Sequence, residues 1–331
     1  MSLFMEDILE QPKSLERLFS EKEKIERKVK NMNPERVLLS GMGSSYFAAC
    51  YAAIYLRQNG ILAETKELSE VVNYSCEKLL GKYDLIILVS QSGETIELIR
   101  FIEKYSAFKD KCILITNDLS SEGASYFTKE RIFDLAAGKE KAMGSSKTFV
   151  NSIVLLLMIS EILTKQKIDF TDLIGSITKA IEIDIDDYAE KFLKNDHQIL
   201  IARGYGVPIT GMAKLTVAEV AKIPISIYSG AAFRHGPLEL LNSNPGLTIL
   251  NFMGVTKDKV DELIEDLPES IKPFIIGNSE NSNIMVGMDL PEVLSEIPSI
   301  IIFQKLSEKL ADIKHFKAGV GTFASKVTTK E

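Results

Sequence analysis

The sequence predicts an α/β protein made of two tandem, doubly wound parallel-sheet domains, and two patterns carry that prediction. First, short continuous apolar runs alternate with longer helical patterns, as strands buried on both faces and covered by helices require. Second, the pattern occurs twice. An offset of 163 residues separates Gly41 from Gly204, Gly43 from Gly206, and the run Leu85–Val89 from Thr248–Phe252. A constant offset between well-separated motifs marks two copies of one supersecondary unit.

Taken in order, residues 1–34 read as a helical segment, chiefly a charged helix over Leu15–Lys30 that needs a partner surface. The first domain, 35–168, has candidate strands at Val37–Leu39, Ala63–Lys66, Leu85–Val89, Ile113–Ile115 and Ile132–Asp134. It closes on a long helix over Lys147–Thr164. Residues 169–196 read as one linker helix, Thr171–Asn195. In it Ile174, Ile177, Ile181, Ile185, Tyr188 and Phe192 recur close to the 3.6-residue period. The second domain, 197–331, has candidate strands at Ile199–Ile201, Ile225–Tyr228, Thr248–Asn251, Pro273–Ile276 and Asn283–Val286, and ends in a tail.

A chain of 331 residues, 45% hydrophobic and 26% charged, suits two domains that each bury a core. Acidic residues outnumber basic ones, 46 to 39, and no basic stripe stands out, which argues against a nucleic-acid partner. Cys50, Cys76 and Cys112 lack ligand-like spacing and read as reduced thiols of a cytoplasmic protein. Three histidines without clustered companions argue against a metal site, and no cofactor is expected. The longest apolar run, Ile153–Leu163, is interrupted by Ser160 and Glu161 and is too short to span a membrane. Glu6, Asp7 and Glu10 stand where a signal peptide would be basic and then apolar.

The segment Ser90-Gln91-Ser92-Gly93-Glu94-Thr95 joins the apolar run Leu85–Val89 to a helical stretch, Ile96–Tyr105. A strand that delivers hydroxyls and a glycine to a helix N-terminus makes an anion cradle. The first-turn N–H groups lack intrahelical partners and carry the positive end of the helix dipole, so no Lys or Arg is needed. The segment points to a sugar monophosphate rather than a nucleotide. Gly41-Met42-Gly43-Ser44-Ser45-Tyr46 lacks the third glycine of a dinucleotide fingerprint, since Tyr46 stands there. Ser44 and Ser45 read instead as an N-cap and a second set of hydroxyl donors. Gly144-Ser145-Ser146-Lys147-Thr148 opens the Lys147–Thr164 helix and supplies a third such loop. Each loop alone also reads as an ordinary helix cap. Their convergence at a sheet's carboxyl edge, where open α/β sheets bind ligands, reads as a site.

In the second copy Asn251-Phe252-Met253-Gly254-Val255 replaces the hydroxyl cradle, and Lys214–Pro237 carries Glu219 on a predicted helix and His235 ahead of Gly236-Pro237. A glutamate and a histidine suit aldose–ketose chemistry: the carboxylate moves a proton between C1 and C2, and the imidazole opens the ring. Residue type alone leaves alternatives open, Glu219 on a solvated face beside Lys222 and His235 as a loop residue. His197 and His315 have no companions and read as structural or exposed.

Together these residues resemble the tandem SIS (sugar isomerase) family, with its flavodoxin-like domains, and most closely the isomerase half of the glucosamine-6-phosphate synthases. The resemblance covers residues 35–331. It rests on Gly43-Ser44-Ser45-Tyr46, Ser90–Thr95, Ser145-Ser146-Lys147, Arg203–Glu219, His235-Gly236-Pro237 and the tail Ala324-Ser325-Lys326-Val327-Thr328. It implies that Ser45, Ser90, Gln91, Ser92 and Thr95 hold the phosphate and nearby hydroxyls, and that Met143, Gly144 and Ser145 contact the sugar. It implies that Glu219 is the proton-transfer base and His235 the ring-opening residue. In the family that histidine comes from a neighbouring subunit, so a homodimer with shared sites is expected. Lys326 matches a tail lysine that forms a Schiff base with an open-chain ketose. Three departures shape the expectation. No glutaminase domain is present in the sequence, Thr216 stands where the synthases have a sugar-facing lysine, and the tail spacing differs by one, so Lys326 is chosen over Ser325 by residue type. The expected protein is a cytoplasmic glucosamine-6-phosphate deaminase yielding fructose 6-phosphate. A fructosamine-6-phosphate deglycase or a plain ketose–aldose isomerase would use the same parts. A non-catalytic phosphosugar sensor would keep the cradle alone.

Overall fold

The structure is a computed structural model that describes residues 1–321 together with Phe323, Lys326 and Thr328. Three helices open the chain, α1 (Leu3–Leu9), α2 (Gln11–Ser20) and α3 (Lys22–Val29). The first copy runs β1 (Arg36–Gly41), α4 (Ser44–Gln58), β2 (Leu62–Glu67), α5 (Leu68–Tyr74), α6 (Glu77–Leu80), β3 (Leu85–Val89), α7 (Ile96–Lys104), β4 (Cys112–Thr116), α8 (Glu122–Ser125), β5 (Ile132–Asp134) and α9 (Lys147–Thr164). Two helices follow, α10 (Leu173–Glu182) and α11 (Asp186–Leu193). The second copy runs β6 (Gln198–Ala202), α12 (Gly206–Thr216), β7 (Ser226–Ser229), α13 (Gly230–Arg234), β8 (Gly246–Asn251), α14 (Lys257–Glu265), β9 (Phe274–Gly277), β10 (Ile284–Met285), α15 (Glu292–Ser295) and α16 (Ser299–Ile313).

The two sheets share one topology. The first is ordered β2-β1-β3-β4-β5 and the second β7-β6-β8-β9-β10, with every neighbouring pair parallel. All ten strands overlap the candidate strands read from the sequence, and the 163-residue offset becomes a structural repeat. By internal contacts the chain forms two compact units. One is Lys13–Ile168 with the described tail residues beyond Val320; the other is Met1–Pro12 with Asp169–Val320.

In the first unit, one sheet face carries Leu38, Ile86, Leu88 and Leu114 and packs on Leu68 and Val71 of α5 and Leu98 and Phe101 of α7. Helix α4 lies against β1 and β2 and packs on α9. The charged N-terminal segment finds its partner surface here. Helix α3 packs on α9, Ser14 Oγ donates to Asn151 Oδ1 at 2.9 Å, and the Arg17 guanidinium donates to the Ala136 and Ala137 carbonyls. The segment is two helices rather than the single one expected, because the chain turns at Glu21. Helix α9, with mean hydropathy 1.5 over 18 residues, is longer than the apolar run read in the sequence. It is long and apolar enough to cross a membrane, yet 83% of it is buried inside the protein, as in a core helix.

In the second unit, α1, α10, α11 and α12 pack around α16. The expected Thr171–Asn195 helix breaks at Ile183-Asp184-Ile185. There Asp184 Oδ1 accepts from the Asp186 N–H at 2.9 Å, starting α11 afresh, and Lys305 Nζ takes up the freed Ile181 and Ile183 carbonyls.

Candidate active site

In both sheets the strand order turns back at one point, between β1 and β3 in the first. That is where open α/β sheets bind ligands, beyond the carboxyl ends of the strands. Gly41 pairs with Val89, so the β1–α4 and β3–α7 loops leave the sheet at the same level. Two of the three loops read from the sequence therefore meet at the switch point.

The β3–α7 loop, Ser90–Thr95, is wound tightly by its own hydroxyls. Buried Ser90 exchanges a hydrogen bond with Thr95 Oγ1 at 2.8 Å and its Oγ accepts from the Gly93 N–H at 3.2 Å; Ser92 Oγ accepts from the Glu94 N–H at 3.1 Å. Gly93 takes φ +66°, left-handed backbone that favours glycine, and its carbonyl accepts from the Gly123 N–H at 2.9 Å. The Gln91 carbonyl accepts from the Asn117 N–H at 2.9 Å. Thr95 stands at the N-cap of α7 with its hydroxyl turned to Ser90 instead of to the helix. The first N–H of α7, at Ile96, donates to the Thr328 carbonyl of the tail at 3.2 Å.

At the β1–α4 loop the structure corrects the sequence reading. Gly43, at φ +51°, holds the N-cap position, and Ser44 and Ser45 occupy the first turn of α4. A side chain at Gly41 would stand 2.8 Å from both Ser45 Cβ and the Val89 carbonyl, so a glycine is needed for α4 to sit this close to the strands. Both loops offer backbone N–H groups and hydroxyls, and neither contains a Lys or Arg.

The third loop behaves differently. The N-terminus of α9 already holds an anion, the buried carboxylate of Glu140. Its Oε1 accepts from the Ser146 and Thr148 N–H groups at 2.8 and 3.1 Å, and its Oε2 from Thr148 Oγ1 at 2.7 Å. Ser145 Oγ pairs with Thr148 Oγ1 at 2.7 Å. The Met143–Ser145 loop is thus shaped by a carboxylate that no sequence motif marked. Glu140 lies six residues before Ser146, outside the spacing of a helix cap, so only the folded loop reveals it. Lys326 Nζ lies 3.0 Å from Glu140 Oε2 and also donates to the Glu140 and Ala142 carbonyls. Ser325, the alternative residue at the tail, lies outside the described residues.

In the second unit Glu219 lies half-buried in a π-helical turn, Val217–Ala221, that continues α12. Such turns are rare and gather at functional sites. Lys222 donates to the Glu219 backbone carbonyl. Thr216 is buried, and its hydroxyl donates back to the Met212 carbonyl at 2.9 Å. His235 is exposed and ends α13. The two residues lie on opposite faces of the sheet. Ile199, Ile201, Leu247 and Ile249 face Phe233 of α13 and Val260 and Leu263 of α14, whereas α12 packs with α16 on the other side. They also lie at opposite edges, since α12 runs back from the carboxyl end of β6 to the start of β7, and α13 begins where β7 ends.

The second sheet's own switch point is filled from within. Glu296, buried, accepts from the Gly206 N–H at the start of α12, and Glu292 Oε1 accepts from the Val255 N–H at 2.9 Å, before α14. Burial pushes the Glu296 carboxyl well above the usual carboxylate range, the Gly206 N–H opposes that shift, and the Glu292 charge adds to it. Among the described residues no group of His, Cys, Asp and Glu could hold a metal ion.

Residues 32–162 match the SIS domain family. The glutamine–fructose-6-phosphate aminotransferase (isomerizing) of Sulfurisphaera tokodaii is 26% identical over 308 residues, which cover 90% of this chain and 51% of that protein. The chain thus spans about half the length of such relatives. Among solved structures, the C-terminal domain of glucosamine-fructose-6-phosphate aminotransferase from Francisella tularensis superposes with a TM-score of 0.82 at 20% identity, covering 97% of this chain and 98% of that one. Glucosamine-6-phosphate deaminase from Thermotoga maritima superposes with a TM-score of 0.72 at 19% identity, covering 96% and 99%. Residues 32–162 thus form a SIS domain, and the chain shares the tandem fold of these solved structures along nearly its whole length.

Proposed function

We propose that the chain is an enzyme that takes glucosamine 6-phosphate and water to fructose 6-phosphate and ammonia. The observation that carries this reading is the neutral cradle at the first sheet's switch point. The hydroxyls of Ser44, Ser45, Ser90, Ser92 and Thr95, the Gln91 side chain and backbone N–H groups of the β1–α4 and β3–α7 loops would grip a phosphate dianion. Met143, Gly144 and Ser145 would face the sugar. His235 opens the ring, Glu219 moves the proton between C1 and C2, and hydrolysis of the resulting C2 imine releases ammonia. Lys326 would meet the open-chain ketose. The names of the similar proteins, an aminotransferase that makes and a deaminase that consumes an amino-sugar phosphate, support chemistry at the amine.

Because Glu219 and His235 lie on opposite faces of one sheet, one chain does not bring them to the same sugar. This supports a homodimer in which each site takes its histidine from the other copy. The working compartment would be the cytoplasm, where Cys50, Cys76 and Cys112 stay reduced. Incubation with glucosamine 6-phosphate should release ammonium and fructose 6-phosphate in equal amounts. Binding without ammonium release would overturn the reading.

A further inference from the structure

Glu140 divides its two carboxylate oxygens between two tasks. Oε1 accepts from the Ser146 and Thr148 N–H groups and from Ser146 Oγ, tying the Lys139–Ser146 loop to the start of α9. Oε2 accepts from Thr148 Oγ1 and pairs with Lys326 Nζ at 3.0 Å. The Glu140 side chain is 1% exposed and that of Lys326 26%. A carboxylate buried this far needs compensating donors, and removing a charged one leaves it short. The same ammonium also donates to the Glu140 and Ala142 carbonyls, so its position is fixed from several directions. Thr328, two residues on, is tied to the Ile96 N–H of the phosphate loop's helix. Both tail residues thus attach to loops at the carboxyl edge of one sheet.

We propose that Glu140 is the positioning residue for Lys326, holding its ammonium beside the Met143–Ser145 loop while anchoring that loop to α9. The functional meaning rests on the phosphosugar reading above; the geometry does not. A lysine side chain left free samples many rotamers, and a buried partner removes that freedom before any ligand arrives. Glutamine at position 140 separates the two tasks. Its amide oxygen still accepts from the α9 N–H groups, but it cannot pair with an ammonium.

The test is competitive acetylation of the full chain with acetic anhydride, read by mass spectrometry at Lys326 against exposed Lys317. In the parent protein Lys326 should label at least about tenfold more slowly than Lys317, and Glu140→Gln should bring the two rates within about threefold. A Lys326 rate unchanged by Glu140→Gln overturns the proposal. Because Glu140→Gln also touches the α9 cap, Lys326→Met and the double variant complete a urea-unfolding cycle. Non-additive effects support the proposal and additive ones overturn it. With glucosamine 6-phosphate, Glu140→Gln should lower kcat at least about tenfold with KM within about threefold. No turnover by the parent protein would count against the phosphosugar reading, while acetylation still decides the role of Glu140.

Discussion

Replacing Gly93 by alanine tests the cradle's architecture with a magnitude that follows from the coordinates. The residue sits at φ +66°, where an L side chain costs about 1–2 kcal/mol. The unfolded chain loses freedom with alanine, which returns about 0.4–1 kcal/mol. Space then decides the sign. A Cβ on Gly93 would stand 2.0 Å from Ser121 Oγ, 2.7 Å from Ser121 Cβ and 3.0 Å from Thr116 Oγ1. Ser121 cannot simply turn away, because its hydroxyl donates to the Asp118 carbonyl at 2.8 Å and caps α8 at the Ala124 N–H. Overpacking of this kind adds about 1–3 kcal/mol, for a net loss of about 1–5 kcal/mol. Gly60 supplies the control: it sits at φ +86° with nothing within 4 Å of a built Cβ. Gly60→Ala should therefore lose about 1 kcal/mol or less. Urea unfolding of both variants measures the difference, and calorimetric titration with glucosamine 6-phosphate should show an affinity loss of at least about tenfold for Gly93→Ala alone. Equal urea midpoints and equal affinities for the two variants would refute the reasoning.

Glu219→Gln should lose at least about a hundredfold in ammonium release while phosphosugar affinity stays within about threefold; a variant that keeps its rate removes Glu219 from the chemistry. If sites are shared between copies, mixing inactive Glu219→Gln and His235→Ala chains should restore part of the activity by forming one intact site per mixed dimer. Mixtures no more active than either parent would refute sharing. The raised carboxyl of Glu296 binds a proton in the folded state that the unfolded chain gives up above its ordinary value of 4.5. Stability from this group is therefore full below that pH and falls as pH rises toward the raised value. Glu296→Gln, which keeps an acceptor for the Gly206 N–H, should flatten that fall in a series of urea midpoints taken upward from pH 4.5; a parent-like slope would refute it.

The central strands were legible because a strand buried on both faces leaves a continuous apolar run, and the repeat placed the polar edge strands Leu62–Glu67 and Ser226–Ser229 at matching positions. The tight strand-to-helix turn at Ser90–Thr95 was legible because it is local: its hydroxyls, its glycine and the helix it starts lie within six residues. The helix boundaries at Glu21 and Ile183–Ile185 were not, since a break set by Asp184 and Lys305 keeps the apolar period intact across it. Nor were the carboxylates Glu140, Glu292 and Glu296. Each fills a helix N-terminus that the sequence offers as empty, from six to ninety residues away, and nothing in local spacing tells an open cradle from one filled by the protein's own acid.

The most direct measurement is calorimetric titration of glucosamine 6-phosphate into the parent protein and a Ser90→Ala/Thr95→Val variant. One sugar should bind per chain, and removing the two hydroxyls should weaken binding at least about tenfold, as expected when bonds to a charged ligand are lost. Two sugars per chain, or an affinity untouched by the double substitution, would mean that the phosphate is held somewhere else.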